Sequence, residues 1–241
     1  MILEPRAKAE TVIARGIDKH RALVAGITHG RIILHTVSYY RHQAIVVGTD
    51  YASRRREVAA NGILGDGYWV KNFGVSARTM LNNGDFPYMN EMAWRDALAF
   101  KPDVVVIKLG TNDSKPENWQ YGSEFKQDLQ QMILTLRPDL AQPAKKKGKK
   151  KAKAAVQPAG PKILLCTPIP AFKPTWNIND KVITDEIIPI QQEVARQYGL
   201  QVIDLHTLLL NDGDKVVEDG IHPDAKGAKK MAEIIAKAIK E

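Results

Sequence analysis

The chain has 241 residues, of which 44% are hydrophobic, so it can bury one substantial core and fits one domain, 1–241, better than two. Its net charge is +8, but residues 1–62 carry +5 and residues 142–160 carry +7, which leaves the rest of the chain at −4. A chain that is mildly acidic outside these two segments is not typical of a protein that binds the phosphate backbone of a nucleic acid over a whole face. Nucleic-acid binding is therefore a minority interpretation.

Short apolar runs alternate with longer amphipathic stretches from Tyr68 onward. The apolar runs predict buried strands over 68–73, 104–107, 163–165 and 202–205. The amphipathic stretches predict helices over 90–100, 116–136, 180–198 and 224–240, the last with Asp224 as its N-cap. Strands that alternate with helices indicate a parallel sheet that is covered on both faces.

The insert 142–160 holds seven lysines and no acidic residue. It has too little apolar surface to offset its chain entropy, so we expect a disordered surface loop. An alternative is an electrostatic tether to nucleic acid or to anionic lipid.

The cysteine count and the opening residues bear on the compartment. The single cysteine, Cys166, excludes an internal disulfide and lies in an apolar run, which favours a buried structural thiol. No apolar run is long enough to cross a membrane, and residues 1–6 lack the layout of a secretion signal. As written, the chain is expected to stay in the cytoplasm. We expect export only if the native N-terminus is missing.

Three loops carry polar residues at positions where parallel sheets bind ligands, which is at the carboxyl ends of the strands. Asn112 can donate from its side-chain amide, and Gly74 can bring its backbone N–H close to a ligand because it has no Cβ. Asp219 precedes His222 by three residues, a spacing at which a carboxylate can orient an imidazole base. Each signal alone is also typical of an ordinary turn or of a solvated surface. Together they indicate most of an acyl-transfer site.

These loops also resemble a known family. Asn72-Phe73-Gly74-Val75-Ser76, Gly110-Thr111-Asn112-Asp113 and Asp219-Gly220-Ile221-His222-Pro223 look like the second, third and fifth sequence blocks of SGNH (GDSL-type) hydrolases, in order. The resemblance runs from about residue 64 to 241 and is broken by the Lys-rich insert. Residues 65–68 and 167–170, followed by Trp176, look like carbohydrate-esterase or sialate O-acetylesterase-like members.

The resemblance implies a three-layer α/β/α, flavodoxin-like sheet, known as the SGNH hydrolase fold. It implies a serine-type esterase that removes small acyl groups such as acetyl from a carbohydrate or another small ester. Residue by residue, it implies His222 as general base, Asp219 as its orienting carboxylate, and the Gly74 N–H and Asn112 side chain as oxyanion donors. It implies no cofactor and no metal. Separately, the absence of a long apolar run predicts no membrane partner.

The nucleophile is not recognisable. The family carries it in a Gly-Asp-Ser block after the first strand, and the nearest phrase here, Val46-Val47-Gly48-Thr49-Asp50, has no serine at the required step. Ser38 is the best-placed serine, because it follows an apolar run at a family-like distance from Gly74, but Thr36-Val37 replaces Gly-Asp. Without an activated serine the His–Asp pair has nothing to deprotonate, so an active enzyme and an inactive one both stay open.

Residues 1–62 carry no family signature. Our leading hypothesis is that they are not the family's native first strand and helix, as would follow from a shifted reading frame or a spliced gene model. Translation of the upstream nucleotides in the other two frames tests this, and the absence of a Gly-Asp-Ser-like phrase contradicts it. Loss of the native first unit would either leave a sheet edge exposed or require residues 31–37 or 44–47 to supply the first strand. We expect low order in 1–62.

Two alternative functions remain. A catalytically inactive carbohydrate-binding relative would use Trp176, Phe172 and Trp119 as stacking platforms, although core packing is the favoured explanation for each of these aromatic residues. Alternatively, the lysines of 145–153 would bind nucleic acid non-specifically.

Other polar residues receive structural assignments. Asp113 is expected to brace its own loop, and His206 to be a satisfied structural residue. The four N-terminal histidines have spacings that match no helical pair or compact finger of metal ligands; they are His20, His29, His35 and His42.

Overall fold

The computed structural model describes residues 12–13, 21–28, 31–38, 42–48, 63–65, 68–141, 160–215 and 218–241, and it describes side chains from residue 63 onward except that of Asp214. The chain groups into two compact units, 1–41 and 42–241. The single domain spanning 1–241 stays a prediction. Residues 142–159 of the insert lie outside the described residues, so its disorder also stays a prediction.

The first unit contains a three-stranded antiparallel sheet. Its strands are β1 (Val12–Ile13), β2 (Arg21–Thr28) and β3 (Arg31–Ser38), in the order β1-β2-β3. Arg21 lies opposite Ser38 at one end of the β2–β3 pair. An antiparallel sheet is not the strand and helix with which the resembled family begins, so the expected atypical N-terminal region is confirmed. The other residues of this unit lie outside the described residues, so the low order expected of them stays a prediction.

The second unit is built on a five-stranded parallel sheet. Its strands are β4 (His42–Gly48), β5 (Tyr68–Asn72), β6 (Val104–Lys108), β7 (Lys162–Cys166) and β8 (Gln201–Ile203). They lie in the order β5-β4-β6-β7-β8, and every neighbouring pair is parallel. This is the flavodoxin-like order, whose switch point lies at the carboxyl ends of β4 and β6. The four predicted strands and the predicted fold class are confirmed.

The first strand of the parallel sheet is β4, between β5 and β6. This confirms one of the two expected replacements, the run 44–47. The other, 31–37, is wrong because those residues belong to β3 and pair with β2 in the antiparallel sheet.

The helices follow the predicted ranges with two exceptions: the short helix Leu205–Leu209, which was not predicted, and the predicted helix 116–136. They are α1 (Met92–Ala99), α2 (Pro116–Trp119), α3 (Phe125–Leu136), α4 (Asp180–Val182), α5 (Ile188–Tyr198), α6 (Leu205–Leu209) and α7 (Ala225–Lys240). A π-helical segment, Ile183–Ile187, joins α4 to α5. The predicted helix 116–136 is instead divided into α2, a 3-10 turn at Gly122–Glu124 and α3. The Trp119 ring packs so closely over Gly122 that a Cβ there would lie 2.8 Å from it, which explains glycine at the break.

Helices cover both faces of the parallel sheet. Val105 and Ile107 of β6 pack with buried residues of α1, α3 and α5, whereas Val104 and Val106 pack with those of α6 and α7. This alternation follows from the two-residue period of a strand. Cys166 is buried in the second cluster, as predicted for a structural thiol. Each fully buried aliphatic side chain of these clusters contributes roughly 1.5–3 kcal/mol.

Helix α7 begins and packs as its sequence predicts. The Asp224 side chain accepts a hydrogen bond from the Gly227 N–H at 2.8 Å, and the buried stripe includes Met231, Ile235 and Ile239. Among the described residues, no helix has the length and apolar character needed to cross a membrane.

Candidate active site

The four residues implied as catalytic all lie on loops at one edge of the parallel sheet. Gly74 follows β5, Asn112 follows β6, and Asp219 and His222 lie between α6 and α7. Since parallel strands end at a common edge, the loops of Gly74 and Asn112 share the side on which open α/β sheets bind ligands, and the segment after β7 contacts the loop of Asp219 and His222 there.

The Asp219 carboxylate holds His222 through both of its oxygens. Oδ2 lies 2.8 Å from the His222 Nδ1, and Oδ1 accepts the backbone N–H groups of Ile221 and His222, each at 2.9 Å. Because a carboxylate only accepts, Nδ1 carries the proton and Nε2 is the basic nitrogen of the neutral ring. The residues predicted to act as base and orienting carboxylate are therefore in direct contact.

The charge of Asp219 suits this contact. Its partial burial acts to raise the pKa, but the hydrogen bonds from Ile221 and His222 outweigh that effect and hold the pKa of Asp219 below its ordinary value. The carboxylate is therefore ionised at neutral pH, and a positive charge on the imidazole would be stabilised.

The segment 172–176, which follows β7, clamps the loop that carries this pair. The Phe172 N–H donates to the Gly220 carbonyl at 2.9 Å, and the Thr175 hydroxyl donates to the Asp219 carbonyl at 2.6 Å. The Trp176 ring meets the His222 ring edge-on, with centroids 5.6 Å apart. The clamp joins residues more than forty positions apart in the chain, and for this reason the sequence did not predict it.

Glycine is required at the centre of the clamp. Gly220 has φ +76°, and a Cβ there would lie 2.7 Å from Lys173 Cγ and 3.0 Å from the Lys173 backbone nitrogen. We therefore expect Gly220→Ala to lower the free energy of unfolding by about 3 kcal/mol, from unfavourable backbone conformation plus overpacking. Chemical denaturation measures this loss.

Gly199 provides a matched control. It has φ +65° at the end of α5, but no atom lies within 4 Å of a Cβ built there. Gly199→Ala should therefore cost only the backbone term, about 1 kcal/mol. Equal losses in the two variants would contradict a close contact between Gly220 and Lys173.

The two implied oxyanion donors lie on linked loops. The Asn112 side chain is buried, and its Nδ2 donates to the Arg78 carbonyl at 3.2 Å on the loop that begins with Gly74. An amide nitrogen has two hydrogens, and this bond uses one of them. Gly110 turns the chain with φ +119°, and a Cβ there would lie 3.1 Å from both Pro168 and Ile187.

The Gly74 amide already has a partner within the chain. It donates to the side-chain oxygen of Asn72 at 2.7 Å. This is the Asx turn that an asparagine two residues before a glycine favours, so the signal was present in Asn72-Phe73-Gly74 and sequence reasoning missed it.

Asp113 links the loops after β5 and β6. Its carboxylate is fully buried and accepts the backbone N–H groups of Met80 at 3.1 Å and Leu81 at 2.8 Å. The pKa of Asp113 is raised to about 6, mainly by burial. The two amides act to lower this pKa, and the nearby charge of Asp85 acts to raise it. The expectation that Asp113 braces its own loop is therefore too narrow, because it anchors the neighbouring one.

Further hydrogen bonds continue this connection toward His222. The Asn179 N–H donates to the Ser114 hydroxyl at 3.0 Å, which joins the loop after β6 to the N-terminus of α4. The Ala171 N–H donates to Asp180 Oδ1 at 2.7 Å, which joins α4 to the residue directly before the clamp segment. The loops of Gly74 and Asn112 are thus tied through protein contacts to the loop of Asp219 and His222.

The structure changes the search for a nucleophile. Ser38 is the last residue of β3, in the antiparallel sheet of the first unit. The strand at the switch point is β4, which ends at Gly48. The positional argument for Ser38 is therefore wrong. Thr49 and Asp50, which follow β4, lie outside the described residues.

His206 has the structural role expected of it. It is buried, its backbone N–H donates to the Thr167 hydroxyl at 2.9 Å, and its ring Nε2 lies 3.3 Å from Asp180 Oδ1. In the described part of the chain, no group of three His, Cys, Asp or Glu residues is placed to hold a metal ion. The side chains of the four N-terminal histidines lie outside that part.

Comparison with known proteins gives one curated relative of high identity. It is an acetylxylan esterase of Xylanibacter ruminicola, 90% identical over 179 residues, which is 74% of this chain. The chain spans only 37% of the length of that relative.

Solved structures share the fold at low sequence identity. A lipase/acylhydrolase from Enterococcus faecalis superposes with a TM-score of 0.62 at 19% identity, covering 83% of this chain and 95% of its own. Est24, a carbohydrate acetylesterase from Sinorhizobium meliloti, also gives 0.62 at 17% identity, covering 83% and 99%. At these identities the likeness concerns the fold.

The family profile described as GDSL-like lipase/acylhydrolase matches residues 45–230. The match begins within β4, which is earlier than the boundary near residue 64 that the motifs predicted. The match includes the strand at the switch point and all three motif loops. It confirms the resemblance to SGNH (GDSL-type) hydrolases. The chain therefore belongs to the GDSL-like lipase/acylhydrolase family.

Proposed function

We propose that this chain is a serine-type esterase that removes acetyl groups from a carbohydrate through an acyl-enzyme intermediate. The observation that carries the proposal is the contact of His222 with an ionised Asp219 on the ligand-binding edge of the sheet. Family membership supports the reaction class. The name of the relative, acetylxylan esterase, supports an acetylated xylan-like substrate.

In the proposed reaction, His222 acts first as base and then as acid. Its Nε2 takes the proton of the nucleophilic hydroxyl as the hydroxyl oxygen bonds to the acetyl carbonyl carbon. The tetrahedral adduct collapses, the bond to the sugar oxygen breaks, and His222 returns the proton to that oxygen. Water, deprotonated by the same nitrogen, then attacks the acetyl-enzyme. The bond to the nucleophile's oxygen breaks, His222 returns the proton to that oxygen, and acetate is released.

Asn112 and Gly74 would stabilise the oxyanion of the adduct. Asn112 is buried and retains a second amide hydrogen, which supports this role. The Gly74 N–H is engaged by Asn72, so the substrate oxygen would have to displace that side chain. We therefore assign the larger share of oxyanion stabilisation to Asn112.

Labelling with a fluorophosphonate probe and peptide mapping tests the proposal. We expect hydrolysis of p-nitrophenyl acetate and one labelled serine, whose identity also locates the nucleophile, since the probe reacts with activated hydroxyls. The proposal fails if neither labelling nor hydrolysis occurs in the folded protein.

A catalytically inactive carbohydrate-binding relative is the second candidate. Two observations favour it: the sequence contains no Gly-Asp-Ser phrase, and the Trp176 side chain is 62% exposed beside His222. It predicts that an acetylated xylo-oligosaccharide binds without release of acetate. Calorimetry combined with product analysis separates the two candidates.

A further inference from the structure

A cavity of about 520 Å³ lies next to the clamp segment, and His222 is not among its lining residues. Its wall is formed largely by the clamp segment, residues 177–179 and the start of α4, and includes Phe172, Pro174, Asn177, Asn179 and Asp180. This volume is within the usual range for small-molecule sites.

Trp176 and Asn177 connect this cavity to the His–Asp pair. Asn177 lines the cavity, while the preceding Trp176 places its ring against His222. Both residues have positive φ, +51° and +59°, a conformation that is unfavourable for a residue other than glycine and is tolerated better by asparagine. The backbone is thus held in an unfavourable turn that keeps a large apolar ring exposed beside the catalytic histidine.

The charged groups of the cavity wall are already paired within the protein. The Lys173 ammonium donates to the Glu218 carbonyl, Lys181 is paired with Asp185, and Asp180 accepts from Ala171. A charged ligand would have to compete with these contacts.

The amide groups are available instead. Within the described part of the chain, the Asn177 carboxamide and the Asn179 Nδ2 make no hydrogen bond, whereas the Asn179 oxygen caps α4. A carboxamide offers both donors and an acceptor, which matches the hydroxyl groups of a sugar. Exposed amides beside an exposed indole therefore favour a neutral, hydroxyl-rich ring over an ionised ligand.

We propose that this cavity, together with Trp176, is a subsite for a neutral pyranose unit adjoining the acetylated sugar. In this subsite Trp176 packs against the apolar face of a sugar ring. Asn177 and Asn179 bind the hydroxyls of the pyranose unit next to the acetylated sugar. The inference rests on the proposed carbohydrate substrate, but not on the presence of an active nucleophile, because binding requires no acyl transfer.

Titration of the full chain with xylotetraose by calorimetry tests the subsite. Trp176→Asn removes the ring and keeps a residue that tolerates the backbone conformation, and we expect about tenfold weaker binding. Asn177→Gly removes the carboxamide and keeps the positive φ, and should weaken binding several-fold. The matched control is Met92→Ala on α1, since Met92 is 71% exposed and does not line the cavity. It should bind as the unaltered chain does.

The proposal is overturned if the unaltered chain does not bind xylotetraose, if Trp176→Asn binds equally well, or if Met92→Ala loses as much affinity as Trp176→Asn. Hydrolysis of p-nitrophenyl acetate is measured on the same preparations. Binding without hydrolysis would support the subsite while contradicting the esterase. Hydrolysis without binding would support the esterase while contradicting the subsite.

Discussion

Replacement of His222 by alanine is expected to lower kcat/KM for p-nitrophenyl acetate by roughly 10⁴-fold or more. In the proposed mechanism this one ring deprotonates the nucleophile and protonates the leaving oxygen. Its loss therefore removes both proton transfers. Initial rates at saturating and at limiting ester measure the effect.

Asp219→Asn separates orientation of the ring from loss of the base. An asparagine oxygen can still accept the backbone N–H groups of Ile221 and His222, so the loop should keep its shape. Its amide nitrogen would then face Nδ1 of the imidazole, which favours the tautomer with the proton on Nε2. That tautomer cannot accept the nucleophile's proton. We expect kcat to fall about 10³- to 10⁴-fold with little change in Tm.

His206→Gln is the matched control, because His206 also contacts an aspartate, Asp180, at 3.3 Å. The loss of its buried contacts should lower the free energy of unfolding by about 1–3 kcal/mol. The kcat of the folded fraction should be retained. Equal losses of kcat in the variants of His206 and His222 would contradict the assignment of His222 as the base.

The features that sequence predicts well here are local. The continuous run of β-branched residues in β6 and the apolar stripe of α7 at helical spacing are both signals within one short window, so that strand and that helix are predictable locally. The contact of Asp219 with His222 is also local, because three residues separate them on one loop.

The features that sequence reasoning missed depend on distant partners. Nothing near Asp113 in the sequence indicates that its carboxylate accepts the amides of residues 80 and 81, and nothing near Gly220 indicates that Lys173 packs against it. The error about Ser38 has the same origin. An apolar run before a serine predicts a strand, but not whether that strand pairs in the antiparallel or the parallel sheet.

Loss of the Asp113 carboxylate is expected to destabilise the fold more than loss of the groups proposed as catalytic. Asp113→Ala leaves two buried N–H groups, of Met80 and Leu81, without an acceptor. Each orphaned donor costs about 1–3 kcal/mol, so we expect a total loss of about 2–6 kcal/mol. Asp113→Asn keeps one acceptor oxygen and should lose less. Urea denaturation at pH 7 ranks the three proteins.

The pH dependence of the same comparison tests the buried charge. The pKa of Asp113 is raised from 3.8 to about 6, so between these values the folded chain binds a proton that the unfolded chain does not. This group therefore stabilises the fold fully below about pH 4, and that stabilisation is lost as pH rises through 6.

Asparagine does not titrate, so the stability advantage of the unaltered chain over Asp113→Asn should shrink by roughly 2–3 kcal/mol from pH 4 to pH 7. The two proteins share every other titrating group, including Asp219. A difference that stays constant over this range would show that Asp113 is ionised in both states. The Asp113 carboxylate that links the loops of Asn112 and Gly74 would then stay ionised throughout this pH range, with its charge stabilised by the amides of Met80 and Leu81.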